Sequence, residues 1–191
     1  MFAHLARHSM LYSALHAIRA VPARTQMTLK ERERLRFHAS GKSRALEIGT
    51  FMGVSACDIA GVMAPNGTLT CIDPWPANDG DDPCLTIARR EFERHNVSDR
   101  IRLVQKCSRD AERELGEYDF IFVDGDHSDA GIATDWDITQ RHLVPSGIVC
   151  LHDVIGALPS ADFYRRVVAR NPNYSLVDEV ESMAVLTRLS K

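Results

Sequence analysis

Polar residues, most of them acids and histidines, follow the apolar runs of this 191-residue chain, each near the point where a run ends. Glu47 and Gly49 come at the end of the first run, and Asp73 follows the second. The later positions of this kind are Ser108, Asp124, His127, His152 and Asp153. Ligands of a doubly wound sheet bind outside the carboxyl ends of its strands. The pattern therefore predicts one site along one edge of a sheet.

The first of these segments contains a loop with two glycines behind a carboxylate, in the pattern Glu47-x-Gly49-x-x-x-Gly53. A dinucleotide-binding fingerprint, Gly-x-Gly-x-x-Gly, would need a glycine where Phe51 stands. A carboxylate in front of a looser loop suits a cation and repels a pyrophosphate. S-adenosylmethionine carries an ammonium and a sulfonium group, so it is the favoured ligand of Glu47, Gly49 and Gly53.

Two acids and a serine extend the predicted cofactor site. Asp73 stands 24 residues after Gly49, at the end of the second strand, where a carboxylate can accept the hydroxyl protons of a ribose. The alternative for Asp73 is a helix cap or a surface acid. Ser108, after the third strand, and Asp124, after the fourth, are the remaining candidate cofactor contacts.

A second group of residues suits a metal ion and a general base. Asp124 follows one apolar strand, and His152 with Asp153 follows the next. If these strands are neighbours, the three side chains converge, and oxygen ligands with one imidazole suit Mg²⁺ or another divalent cation. The alternative is that the acids cap helices. His127 is the candidate base for an acceptor hydroxyl, with Asp124 as the second candidate, because imidazole titrates near neutral pH.

Alternating strands and helices must position these residues. The apolar runs predict strands at Arg44–Ile48, Thr68–Asp73, Ile101–Val104, Tyr118–Val123, Ile148–Leu151, Tyr174–Asp178 and Met183–Leu189. Pro145–Gly147 is predicted as a turn before the fifth strand, and Pro159–Ala169 as the last helix. The fold class is therefore α/β, a Rossmann-like doubly wound sheet of seven strands. The sheet is mostly parallel with an antiparallel C-terminal strand, and helices cover both faces. We expect a single domain over residues 1–191, with an N-terminal helical segment over 1–40 and the core over 44–191.

Composition limits the partners. A net charge of −3 gives no broad basic field, so nucleic acid is not expected as a partner. The basic residues between Lys30 and Arg44 alternate with Glu31 and Glu33, which favours a solvated helix face over a patch for an anionic substrate.

Apolar runs too short for a membrane span and five cysteines without a Cys-x-x-Cys pair predict a cytoplasmic protein with no membrane partner. The first helix is expected to pack on the domain or on a second copy, and the second case predicts a homodimer through the N-terminal helices.

These motifs resemble those of the class I S-adenosylmethionine-dependent methyltransferases. The resemblance rests on Glu47–Gly53, Cys71–Asp73, Phe122–Ser128 and Leu151–Asp153. The acidic motifs are similar to a narrower branch, which groups macrocin-type sugar O-methyltransferases with cephalosporin-hydroxylase-like proteins and is related to the catechol-type enzymes. The resemblance implies that Asp124 and Asp153 bind a metal with His152 as third ligand. His127 occupies the position of a catalytic lysine in the catechol-type enzymes.

The leading hypothesis is therefore a metal-assisted O-methyltransferase that acts on a hydroxyl of a small molecule, such as a sugar, a phenol or a natural product. A subunit that binds the cofactor without catalysis is the first alternative. An NAD-dependent oxidoreductase is the second, and the glycine spacing argues against it. The identity of the acceptor does not follow from the sequence.

Overall fold

The computed structural model describes residues 3–75 and 82–190, and it describes side chains from Met10 onward. The strands are β1 (Arg44–Ile48), β2 (Thr68–Ile72), β3 (Ile101–Val104), β4 (Tyr118–Val123), β5 (Leu143–Leu151), β6 (Tyr174–Val180) and β7 (Met183–Arg188). The helices are α1 (Ala3–Ala17), α2 (Leu29–Ala39), α3 (Val54–Val62), α4 (Pro83–Arg94), α5 (Ser108–Ala111), α6 (Asp129–His142) and α7 (Pro159–Phe163). Across these described segments, none of the helices has both the length and the apolar character to cross a membrane.

All seven strands form one sheet in the order β3-β2-β1-β4-β5-β7-β6. The first five strands in that order are parallel, and β7 is antiparallel to both β5 and β6. Neighbouring residues of β1 face opposite sides of the sheet, as the alternation of side chains in a strand requires. Ala45 belongs to the core that α2, α3 and α4 cover, and Leu46 to the core that α5 and α6 cover. The predicted fold class is thereby confirmed.

The five parallel strands end at the same level. Ile48 of β1 pairs with Ile72 of β2 and with Val123 of β4, and the row continues to Val104 and Leu151. After four of these five strands, the next residue is held by one more backbone hydrogen bond to the neighbouring strand. These bonds run from Gly49 N to Ile72 O (2.9 Å), from Asp73 N to Val104 O (3.3 Å), from Asp124 N to Ile48 O (2.8 Å) and from His152 N to Val123 O (3.0 Å).

Two predicted elements differ from the structure. The turn expected at Pro145–Gly147 is wrong, because β5 already begins at Leu143 and runs through it. The irregularity is absorbed by a register shift opposite Tyr118 and by the left-handed backbone of Ser146, at φ 62°. The single helix expected after Pro159 is also wrong, because a π-helical turn, Tyr164–Val168, follows α7.

The N-terminal helices pack on the core. His16 of α1 is buried, and its Nε2 lies 2.9 Å from a carboxylate oxygen of Glu91 in α4. The charged face of α2 is ion-paired rather than freely solvated, since Arg32 and Arg36 both bind Asp58 of α3. The predicted solvated face is wrong for Glu31, which is buried.

Gly49 yields the first testable prediction. Its φ is +90°, and a Cβ at this position would lie 2.0 Å from the backbone oxygen of Asp124. Backbone strain and overpacking should together make Gly49→Ala unfold more easily, by roughly 2–5 kcal/mol in urea titrations. Gly61→Ala is the control, because Gly61 lies in α3 with nothing within 4 Å of its Cβ position. It should be neutral or stabilising by up to about 1 kcal/mol. Equal stability of the two variants would contradict the close approach of the two strand ends.

Candidate active site

The loop after β1 is fixed by its two glycines. Gly49 approaches the backbone of Asp124, and Gly53, at φ +79°, forms the N-cap of α3. A Cβ on Gly53 would lie 2.7 Å from the ring of Phe92 and 3.1 Å from Ala88, both in α4. A side chain at Gly49 would therefore push the loop away from Asp124, and one at Gly53 would push it away from α4.

Glu47 places a carboxylate under this loop without exposing it to solvent. Its side chain is fully buried, and one oxygen accepts a 2.6 Å hydrogen bond from the Ser55 hydroxyl. The other oxygen, Oε2, has no hydrogen-bond partner of normal geometry among residues 3–75 and 82–190. Burial raises the pKa of Glu47 to about 7, although the nearby hydroxyls of Ser55 and Thr50 favour the ionised form. A buried acceptor without a partner fits a ligand that carries an ammonium group.

Asp73 holds the loop as well as lying at the predicted ribose position. Its Oδ2 accepts the backbone N–H groups of Thr50 (3.1 Å) and Phe51 (2.8 Å), and its Oδ1 accepts that of Trp75 (2.9 Å). Burial raises its pKa, and the three N–H donors oppose that shift. Because a carboxylate can accept about four hydrogen bonds, acceptor capacity remains for a ligand hydroxyl. The sequence did not indicate the loop-holding role.

Trp75 is a structural residue in this arrangement. Its ring is 2% exposed, and its indole N–H donates to the Phe51 carbonyl oxygen at 2.9 Å. Three residues at the strand ends, Phe51, Trp75 and Asp153, have positive φ angles of 49°, 35° and 55°. Such conformations cost free energy and are concentrated at ligand sites.

Ser108 contacts a residue that the sequence did not indicate. Its hydroxyl donates a 2.6 Å hydrogen bond to Asp135 of α6, which is 3% exposed. Burial raises the pKa of Asp135 to about 6. The other Asp135 oxygen lies 2.7 Å from the Cβ position of Gly125, so it also supports the loop after β4.

Asp124, His152 and Asp153 form the predicted cluster. Each offers one ligand atom, and the three atoms lie within 4.8 Å of one another. His152 Nδ1 is 2.9 Å from Asp124 Oδ1 and 3.6 Å from Asp153 Oδ2. Two carboxylates and an imidazole nitrogen at this spacing are a donor set that fits a divalent cation such as Mg²⁺ or Mn²⁺.

The second nitrogen of His152 faces another acid. His152 Nε2 lies 3.4 Å from Glu31 Oε2, and both side chains are buried. Burial disfavours the imidazolium of His152, but the hydrogen bond with Asp124 and the charges of Asp124, Asp153 and Glu31 outweigh it and raise the pKa to about 9. Burial also opposes ionisation of Glu31, but hydrogen bonds from Ser182 and Thr28 lower its pKa to about 2.

His127 lies at the open side of the cluster. Its Nε2 is 3.6 Å from Asp153 Oδ2 and 3.9 Å from Asp124 Oδ1, and about a third of its side chain is exposed. An imidazole here can take a proton from a bound molecule, and the two acids would stabilise the resulting charge.

Sequence reasoning missed Glu31 and Asp135, although each shows a helical signal. Glu31 is four residues before Leu35 on one buried helix face, and it completes the capping pattern that begins at Thr28. Asp135 is three residues after Ile132 on the buried face of α6. In both cases the indication in the sequence is an acid on the apolar face of a helix.

A cavity of about 470 Å³ lies elsewhere, between the α1–α2 connection and helices α3 and α4. Its lining includes Arg19, Arg32, Asp58 and Arg94, and none of the predicted site residues lines it. The chemistry at the strand ends therefore does not involve this cavity.

Comparison with known proteins was made by sequence and by structure. The model of a family described as a methyltransferase domain matches residues 46–154, more than half of the chain. No curated protein matches the sequence.

Solved structures share the fold at low sequence identity. Cofactor-bound Rv0187 from MTB has a TM-score of 0.75 at 19% identity, over 96% of this chain and 90% of that one. An O-methyltransferase from Bacillus cereus in complex with SAH has a TM-score of 0.71 at 18% identity, over 97% of this chain and 90% of that one. The O-methyltransferase TomG from Streptomyces achromogenes, in complex with SAM, has a TM-score of 0.70 at 17% identity, over 95% of this chain and 90% of that one.

The buried carboxyl group of Glu47 predicts a pH dependence of stability. Its pKa is about 7 in the folded chain and about 4.5 when it is exposed, so the unfolded state ionises first as the pH rises. Between pH 5 and pH 8 wild type should therefore lose up to roughly 3 kcal/mol more unfolding free energy than Glu47→Gln, which cannot ionise. Urea titrations across this range measure the difference.

Glu93→Gln is the control, because Glu93 is exposed on α4 and the substitution removes the same charge. Its stability should follow that of wild type with pH. Parallel profiles for wild type and Glu47→Gln would show that Glu47 is not held protonated by burial.

Proposed function

Because the chain belongs to the methyltransferase-domain family and is thereby an S-adenosylmethionine-dependent methyltransferase, we propose that it methylates a hydroxyl group of a small molecule with the help of a divalent cation. The observation that carries this proposal is the position of Asp124. Its backbone lies against Gly49 of the loop after β1, and its carboxylate belongs to the cluster with His152 and Asp153. One residue thus joins the cofactor loop to the cation cluster.

The proposed cofactor site consists of the side chains and backbone around the ends of the first three strands. S-adenosylmethionine supplies the methyl group from its sulfonium. We propose that the free oxygen of Glu47 accepts from its ammonium group and that the remaining acceptor capacity of Asp73 takes a ribose hydroxyl. Ser108, oriented by Asp135, and the backbone at Gly49, Gly53 and Asp124 complete the set.

The proposed cation site consists of Asp124, His152 and Asp153. A cation bound there would lower the pKa of an acceptor hydroxyl. His127 would take the hydroxyl proton, because its Nε2 lies at the open side of the cluster, 3.6 Å from Asp153 and 3.9 Å from Asp124. A positioned base of this kind contributes about 10²–10⁴-fold to a rate. Asp124 is the weaker candidate for the base, because it already accepts the bond from His152.

The loop geometry argues against an NAD-dependent oxidoreductase. The backbone N–H groups of Thr50 and Phe51 would have to bind a pyrophosphate, but both donate to Asp73. The carboxylate also places negative charge where the phosphates would lie. A subunit that binds the cofactor without catalysis differs from our proposal by the absence of methyl transfer to any acceptor.

We also propose an oligomeric state, a class of partner and a location for the chain. Met10, Leu11 and Ile18 in the N-terminal helical segment are exposed, which supports a homodimer through this segment. Sedimentation of the purified chain tests it. A small-molecule acceptor without nucleic acid or membrane partners, and a cytoplasmic location, rest on the composition described above.

Asp153→Ala tests the cation site. We expect loss of the Mg²⁺-stimulated methyl transfer from radiolabelled S-adenosylmethionine to a panel of sugars, phenols and alcohols. The calorimetric affinity for S-adenosylhomocysteine should stay within a few-fold of wild type, because Asp153 is not part of the cofactor loop. Asp129→Ala, which removes an exposed carboxylate at the start of α6, should behave as wild type. Equal loss of cofactor binding and turnover would count against the assigned role of Asp153.

His127→Gln tests the base. The turnover number should fall by about 10²–10⁴-fold at pH 7, while the affinities for S-adenosylhomocysteine and Mg²⁺ stay near those of wild type. A loss below tenfold with the same acceptor would exclude His127 as the base and favour Asp124.

A further inference from the structure

Glu31 is an acid of the N-terminal helical segment that reaches the cation cluster. It lies in the first turn of α2, and its side chain is 1% exposed. A residue that caps a helix need not be buried. Charged side chains are almost never fully buried unless they are paired. The partners of Glu31 therefore indicate a second role.

Both carboxylate oxygens of Glu31 are used. Oε1 accepts the backbone N–H of Ser182 (3.0 Å) and the Ser182 hydroxyl (2.6 Å). Oε2 accepts the backbone N–H of Thr28 (2.9 Å) and faces His152 Nε2 at 3.4 Å. Three fixed donors thus hold the carboxylate in place beside the imidazole.

The contact determines which nitrogen of His152 a cation could bind. An ionised carboxylate only accepts hydrogen bonds, so Nε2 carries an N–H toward Glu31. Nδ1 is then the nitrogen turned toward Asp124 and Asp153, and a cation bound there would replace the proton that Nδ1 shares with Asp124. Carboxylates that hold metal-binding histidines in this way fix both the tautomer and the orientation of the ring.

We propose that Glu31 is a positioning residue of the cation site, which holds the ring of His152 with Nδ1 toward Asp124 and Asp153. This inference rests on the proposed function, and it adds the N-terminal helical segment to the active site. Glu31 itself does not touch the reacting groups. Its effect passes through the imidazole of His152.

Glu31→Gln is the sharpest variant. The two Ser182 donors favour an oxygen on their side, which turns the amide NH₂ of glutamine toward His152 and the Thr28 N–H. Two donors cannot face each other, so Nε2 gives up its proton and Nδ1 keeps the one that it shares with Asp124, which leaves no lone pair for a cation at the cluster. We expect the Mn²⁺ affinity, measured by calorimetry at fixed pH, to fall by about 10–100-fold. The affinity for S-adenosylhomocysteine should stay within threefold of wild type, which also shows that the variant is folded.

Thr28→Ala is the matched control. Thr28 supplies the side-chain half of the same capping box, and its hydroxyl accepts from Glu31 N at 3.2 Å. The substitution should lower the melting temperature but leave the Glu31–His152 contact and the Mn²⁺ affinity intact. If Thr28→Ala loses as much Mn²⁺ affinity as Glu31→Gln, the effect belongs to helix stability and the proposal is wrong.

The tautomer provides a readout that a purely structural role would not change. In ¹⁵N spectra of the Mg²⁺-loaded wild type, the proton of His152 should reside on Nε2, and in Glu31→Gln it should move to Nδ1. The signal is assigned by its loss in His152→Asn. Unchanged Mn²⁺ affinity or an unchanged tautomer in Glu31→Gln would overturn the proposal.

The wild-type titrations separate this inference from the proposed function. Wild type that binds S-adenosylhomocysteine but no Mn²⁺ would overturn both the role of Glu31 and the cation part of the function, and methyl transfer would remain. Wild type that binds Mn²⁺ but no S-adenosylhomocysteine would count against the proposed function alone.

Discussion

Five parallel strands that end in one row are the constraint on which the candidate site depends. Their pairing register places Gly49, Asp73, Asp124 and His152 each one residue beyond the row, and a backbone hydrogen bond to the neighbouring strand holds each of them. The strand order reverses between β1 and β4, so connections leave the sheet in opposite directions there. The cofactor loop comes from one side of this point and the acidic cluster from the other. Because their spacing is set by sheet hydrogen bonds, little backbone flexibility is left at the point where they meet.

Two buried acids at this edge differ in the hydrogen-bond donors around them. Glu31 is buried but surrounded by donors, which keeps it ionised and immobile. Glu47 is buried, and one of its oxygens accepts no hydrogen bond from the described residues. Burial raises its pKa to about 7 in the folded chain without a ligand. An unsatisfied buried acceptor destabilises a fold. The first arrangement is typical of structural support, and the second is typical of a group whose partner is a ligand.

Local patterns predicted much of this structure. The bounds of β1, β3 and β4 agree with the predicted strands. β4 is the clearest case, because a strand buried on both faces needs continuous apolar residues. The class I methyltransferase assignment is confirmed by the family match, and the narrower branch stays a prediction. Convergence of Asp124, His152 and Asp153 was predictable because β4 and β5 are neighbours. The Glu31–His152 and Ser108–Asp135 contacts were not, since each depends on how a helix is rotated against the sheet.

The contact of Glu31 with His152 joins residues 121 positions apart, and its contact with Ser182 joins residues 151 apart. Closing such long loops comes late, because ordering the chain between two distant residues costs entropy before any contact forms. The pairing of β1 with β2, by contrast, joins residues 24 apart. The pairs of β1 with β2 and of β2 with β3 can therefore form before the contacts of Glu31 do. The imidazole at the acidic cluster acquires its final orientation only when the last hairpin docks against the second helix.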